Sequence, residues 1–218
     1  MFSQDYILRI ISQATAALAT VLGLKKTGKY DEAQQAIDQA LEQLLGLDSF
    51  IIKQLEDRSL LEMLTKEQRV DSARLGLVAD LFKEEGDILA EQKRLAESRL
   101  SYQRALVYTL ETGFDEGEPP TAELTGKIEG LIDSLKGGSI PGSTLWTLFC
   151  YYERAGLYKR AADTLDEMAA HPEAGSDVQP ERSAFYERMG QKSASELAVG
   201  GLDHAELRHR LESLKPGA

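Results

Sequence analysis

From Leu145 to Met168 the chain reads as two helices folded back on each other at Gly156. Glycine suits such a joint because, without a Cβ, it adopts left-handed backbone at little steric cost. Leu148 and Tyr152 lie one helical turn apart on the first helix, and Ala161, Leu165 and Met168 repeat at helical spacing on the second. The small Ala161 lets the two axes approach, and Tyr158 fills the joint. Comparable pieces precede it. Tyr30, Ala33, Ile37 and Ala40 follow Gly28 at the offsets at which Tyr158, Ala161, Leu165 and Met168 follow Gly156. A third piece carries Leu95, Ser98, Tyr102 and Ala105 in the same register, with Lys93 at the turn and Gly86 as the small residue of the helix before it.

The intervening sequence also reads as helical. No proline occurs before Pro119, and no segment alternates apolar and polar residues for long enough to suggest a strand. The first helix is expected from about Asp5 to Lys26, with Ile7, Ile10, Ile11, Ala14, Leu18, Val21 and Leu22 on one broad face. Leu45-Gly46-Leu47-Asp48 reads as a glycine C-cap followed by a new N-cap, and Thr112-Gly113-Phe114-Asp115 has the same form. Ser59 to Glu62 and Thr65 to Gln68 fit the capping box, which would open a long helix from about Lys66 to Gln92. Its partner is expected from about Arg94 to Glu111. Thr121 caps a helix reaching about Lys136, and Lys136 to Gly142 reads as a linker. Further helices are expected near 180–190, 193–199 and 203–214, the last opened by Asp203 with Glu206 and stapled by Leu202 against Leu207. The expected architecture is all-α, a stack of helical hairpins forming a single domain. Residues 1–112 supply the N-terminal hairpins, 113–142 an acidic loop, helix and linker, and 143–218 the last hairpin with capping helices.

Composition narrows the function. Of 218 residues 42% are hydrophobic, enough for a core. The net charge of −11 argues against nucleic acid and anionic membranes, which reward clustered Lys and Arg. One cysteine, Cys150, permits no intramolecular disulfide, and the N-terminal residues lack a basic secretory start. The apolar run Ala14 to Leu24 is short for a bilayer span. These features point to a soluble cytoplasmic protein.

The glycine-turned hairpins resemble tetratricopeptide repeats (TPR), which implies a right-handed, α-solenoid-like stack. Tyr30, Leu95 and Tyr158 are 65 and 63 positions apart, about twice the usual repeat of about 34 residues, so each hairpin is followed by an insert of similar length. The opening Asp5-Tyr6-Ile7-Leu8-Arg9-Ile10-Ile11 also resembles a family of small bacterial proteins of unknown function, mainly from Firmicutes. TPR proteins bind extended peptides or helices in a groove lined by the first helix of each repeat. Carried over, the resemblance implies partner-binding positions at Lys83, Asp87 and Glu91 in the middle hairpin, and at Trp146, Cys150, Glu153 and Arg154 in the last. Leu18, Leu22 and Lys25 take these places in the first. The Lys and Asn pattern that clamps a peptide carboxylate is missing from these positions.

Motifs with chemical potential weigh toward bland readings. Glu206 and His209 have Glu-x-x-His spacing, but a metal site of that kind needs a second such motif and further carboxylates. Gly137 to Ser143 has the glycine spacing of a phosphate loop without its lysine. Asp115-Glu116-Gly117-Glu118 lacks the calcium-loop register and reads as a solvated turn. Cys150 has no base and orienting group in view. Trp146 fits either core or interface. The expectation is a non-catalytic interaction scaffold, with no cofactor or metal, binding a peptide or helix in a concave groove. The alternatives are a sensor that takes a small ligand near Trp146 and Tyr152, and a structural protein that self-associates as a homodimer through Ile7–Leu24.

Overall fold

The computed structural model describes residues 2–66, 69–114, 120–170 and 178–213, with side chains described for 6–65, 71–114, 120–170 and 178–212. Twelve helices occupy these residues, and the chain divides into two compact units, Met1–Ser139 and Ile140–Ala218. In the first unit α1 (Phe2–Lys26) pairs with α2 (Tyr30–Leu45), and α5 (Ser72–Glu91) pairs with α6 (Leu95–Thr112). The short α3 (Ser49–Gln54) and α4 (Asp57–Met63) connect the two hairpins, and α7 (Ala122–Ser134) lies on α6. Both α1 and α2 rest on α5.

The three turns share one backbone solution. Gly28 and Gly156 have φ of 72° and 71°, and Lys93, two residues before its helix as they are, has φ of 63°. A lysine held in the left-handed region bears a strain of roughly 1 kcal/mol that glycine escapes. Lys93→Gly is therefore expected to raise the urea midpoint, by the equivalent of about 0.5–1 kcal/mol. An unchanged or lower midpoint would contradict the strain.

The small residues also perform as the spacing implies. Ala33 and Ala161 are fully buried and Ser98 nearly so. The Ser98 hydroxyl donates to the Gly86 carbonyl at 2.8 Å. A Cβ on Gly86 would lie 2.6 Å from two carbons of the Tyr102 ring, so α5 and α6 meet where one helix has no side chain. Beside this contact Ile37, Leu41, Phe82 and Tyr108 form the core, each side chain contributing about 1.5–3 kcal/mol on leaving water. Gly46 (φ 71°) closes α2, and Asp48 caps α3 by accepting from the Phe50 amide at 2.9 Å.

Several expectations require correction. Thr65–Lys66 and Arg69–Val70 form a two-residue antiparallel pair where no strand was expected. The Thr65 hydroxyl bonds back to the Leu61 carbonyl, so it does not cap a helix, and the other half of that box, Glu67 and Gln68, lies outside the described residues. The long helix accordingly starts at Ser72, capped by Asp71, which accepts from the Arg74 amide at 3.1 Å. Ser59 lies inside α4, which begins at Asp57. Gly113 is the C-cap of α6, as expected, but in right-handed backbone and not the left-handed glycine conformation; Asp115 and the acidic turn to Glu118 lie outside the described residues. The linker is held down as well: Arg99 donates to the Leu135 and Ser139 carbonyls, and Gln103 to Ser139.

The second unit pairs α8 (Gly142–Arg154) with α9 (Tyr158–Ala170), followed by α10 (Val178–Gly190), α11 (Ala194–Val199) and α12 (His204–Ser213). Phe149 meets Phe185 edge-on at 5.5 Å. Asp203 caps α12 through the Glu206 amide at 2.7 Å, and the stapling residues Leu202 and Leu207 are both buried.

The first helix outruns its cover. With 25 residues against 16 in α2, it projects about 13 Å further at 1.5 Å per residue. Tyr6 and Leu8 are exposed, and the Arg9 guanidinium lies over the Tyr6 ring. The apolar stretch extends beyond Ala14–Leu24: within Tyr6–Lys26 an 18-residue stretch has a mean hydropathy of 1.6, by length and composition enough to cross a membrane, with 11% of that stretch buried.

Candidate functional site

Within the first unit α1, α5 and α7, with Thr109 of α6, line a groove of about 430 Å³. Its apolar walls are Leu18 and Leu22 from α1, Ala79 from α5 and Leu131 from α7. Two glycines, Gly126 and Gly130, face it from α7 one helical turn apart. A Cβ at either position would meet nothing within 4 Å. Their lack of side chain therefore leaves open space where Gly86 is pressed against a neighbour. Glycine inside a helix costs roughly 1 kcal/mol relative to alanine, and no close contact among the described residues calls for it here. The edge of the groove is tied by Lys127 of α7, which contacts both Asp80 carboxylate oxygens on α5 at 3.0 and 3.1 Å.

From Lys83 and Glu84 in the groove lining, a cluster of paired charges extends along α5. The sequence 83–87 of α5, Lys-Glu-Glu-Gly-Asp, places three carboxylates within little more than one turn. Lys25 at the end of α1 pairs with Glu84, and with Asp87 at 2.5 Å. Lys83 reaches Glu84 and Asp87, both at 2.9 Å, and the Tyr102 hydroxyl donates to Asp87 at 2.8 Å. On the other side of α5, Glu85 accepts from Gln34 at 2.7 Å and Ser101 at 2.9 Å, and pairs with Lys53 at 2.7 Å. Buried carboxylates persist when each is compensated in this way. The cluster thus fixes α1, α2, α3 and α6 around α5 and sets the position of the groove walls.

Its titration has a definite sign. Burial pushes the Asp87 carboxyl up, but hydrogen bonds from Lys25, Lys83 and Tyr102 outweigh this and hold it below its ordinary value. Burial would lower Lys83, yet its bonds to Asp87 and Glu84 keep the ammonium above the usual lysine range. Burial and the bond to Asp87 push the Tyr102 hydroxyl up to about 12. A depressed carboxyl contributes stability that is complete above its unfolded value, about pH 4, and is lost as pH falls through the folded value. The raised phenol contributes below about pH 10 and ceases to as pH rises through 12. Urea midpoints are expected to fall on both sides of this window, with Asp87→Asn flattening the acid limb. An acid limb of unchanged steepness in that variant would contradict the assignment.

The positions implied by the repeat resemblance divide. Lys83 lines the groove beside Leu18 and Leu22, with Lys25 and Asp87 in the cluster that extends from it, while Glu91 stands exposed at the end of α5. In the second unit Trp146, Cys150 and Glu153 share one side of α8, and Arg154 is exposed at its end. Trp146 is 43% exposed and packs on Phe149 at 5.7 Å. Burial, with Glu153 and Glu181 nearby, pushes the half-buried Cys150 thiol up, away from the reactive thiolate. Glu153 is engaged by Arg188 of α10 at 2.8 and 2.9 Å. Glu206 is likewise held, by Lys159 and by Arg210, both at 2.7 Å. Sequence reasoning missed the part played by α7. The readable signal was Gly126-x-x-x-Gly130 in a helix otherwise patterned by Leu124, Ile128 and Leu131.

The chain matches a family of unknown function, DUF6483, over residues 1–216. It belongs to that family. No curated protein and no solved structure matches this DUF6483 chain. The groove geometry therefore carries the functional reading.

Proposed function

We propose that this DUF6483 protein is a non-catalytic, TPR-like interaction module whose first unit takes an amphipathic partner helix into the groove between α1, α5 and α7. The pair of glycines carries the reading. Gly126 and Gly130 leave the α7 wall of the groove bare along one side, and helices accept such a stripe where another backbone comes close. Apolar walls offer the burial that seats a helix by residues at i, i+3 or i+4, and i+7. The order of contacts supports the TPR-like part of the reading. Each second helix rests against the next first helix, α2 on α5 and α6 on α7, while α1 also rests on α5. In such a stack α1, α5 and α7 are the first helices of successive units, the helices from which TPR grooves are made. On this reading α3 and α4 are an insert, and the exposed Trp146 side of α8 is secondary.

Peptide display against the full chain tests the proposal, followed by measured dissociation constants for the selected sequences. Selected peptides are expected to carry the helical apolar pattern. Gly126→Leu with Gly130→Leu is expected to weaken them at least 30-fold while raising thermal stability, because leucine fills open space and favours helix. Peptides without that pattern, or binding untouched by the filled groove, would refute the proposal.

A further inference from the structure

We infer that two copies of this chain pair antiparallel through the outward side of α1. Leu8, Ser12, Thr15, Ala19 and Leu22 alternate in steps of four and three, and all five are exposed. That is the heptad spacing of a two-helix seam, set on the side of α1 away from the buried Ala14 and Val21. Leu8 is 60% exposed and Leu22 37%. No ionisable side chain occurs from Ile10 to Leu24. The Thr15 hydroxyl donates to the Ile11 carbonyl at 2.9 Å, so a partner helix would leave no unsatisfied donor there.

The occupant follows from the pattern of sizes. Laid antiparallel on itself, the seam sets Ser12 opposite Leu22 of the second copy and Thr15 opposite Ala19, small against large or small against small. Leu8 falls opposite Lys26, whose aliphatic stem covers apolar surface while its ammonium reaches water. The antiparallel sense also sets opposite helix dipole ends side by side and separates the two Lys25-Lys26 ends. Each chain carries a net charge of −11, so two copies meet most readily across an uncharged surface, and this seam is one. In this register residues 8–26 of the two helices overlap over about 28 Å, and the contact buries on the order of 1,000 Å², the threshold of a specific interface. The inference goes beyond the groove reading: Leu8, Ser12, Thr15 and Ala19 do not line the groove, although Leu22 stands at the edge they share.

Sedimentation equilibrium of the full chain from 1 to 100 μM gives the first test, with twice the 24.1 kDa chain mass expected. Leu8→Glu with Ala19→Glu is expected to return the single-chain mass with an unchanged circular dichroism spectrum, since both positions are exposed. Orientation is tested by oxidation in a Cys150→Ser background. A mixture of Thr15→Cys chains and Ala19→Cys chains is expected to give a disulfide-linked pair, and Leu8→Cys alone none. A wild-type chain of single mass throughout, whether or not it binds phosphatidylcholine vesicles, would overturn the inference. So would a dimer indifferent to the two glutamates, or ready cross-linking of Leu8→Cys without the mixed pair.

Discussion

Gly86→Ala is expected to destabilise the protein by about 2 kcal/mol or more, although alanine is the better helix former by about 1 kcal/mol. The added methyl would lie 2.6 Å from the Cδ1 and Cε1 atoms of Tyr102. The ring cannot step aside. Tyr102 is 7% exposed, and its hydroxyl is held by Asp87 at 2.8 Å. The contact sits on the main helix pair of the first unit, so displacement there also moves α5 against α1. Chemical denaturation measures the loss. Gly86→Ala combined with Tyr102→Ala should recover part of it relative to the sum of the single changes, because the smaller side chain removes the clash. Strict additivity would show that the methyl is accommodated elsewhere.

Arg104→Ala should cost still more, about 3–5 kcal/mol. Arg104 is buried in α6 and donates to the Ile52, Lys53 and Leu55 carbonyls at 3.2, 3.1 and 2.7 Å. These are orphan carbonyls at the end of α3, which a six-residue helix cannot satisfy internally. Its Nε donates to Asp57 at 2.9 Å, and the guanidinium lies 4.7 Å from the Phe82 ring centre. The Tyr108 hydroxyl donates to the same Asp57 oxygen at 2.7 Å. Truncation leaves three carbonyls and a carboxylate short of donors together. Arg104→Lys is expected to recover little, since one ammonium cannot replace a planar fork that reaches four groups. A lysine variant as stable as the wild type would show that charge, and not geometry, holds the α3–α4 segment.

The three hairpins were legible because their determinants are local. A turn residue, a small residue five positions after it and helical spacing recur in each, and Lys93 adopts the glycine conformation the register demands. The α12 cap was legible for the same reason. The start of α5 was not. Thr65 satisfies a capping pattern in sequence, but its hydroxyl is taken by Leu61 and its backbone pairs with Val70, a competition that no local rule resolves. The burial of Glu84 and Glu85 beside Lys83 and Asp87 was not legible either. Their compensating partners, Lys25, Gln34 and Lys53, are tens of residues away in the chain. Of the implied partner positions, Lys83, Leu18 and Leu22 do converge on one groove. The third wall could not be read from the hairpin pattern, because α7 lacks the glycine-turn register and shows itself through two glycines whose openness is visible only in three dimensions.

The groove between α1, α5 and α7 is the docking place proposed for a partner helix. Amide chemical-shift mapping on the ¹⁵N-labelled full chain, titrated with a display-selected helical peptide, tests this most directly. The largest changes are expected at Leu18 and Leu22, Ala79 to Lys83, and Gly126 to Leu131. Changes centred instead on Trp146 and Cys150 of α8, with those three segments undisturbed, would contradict it.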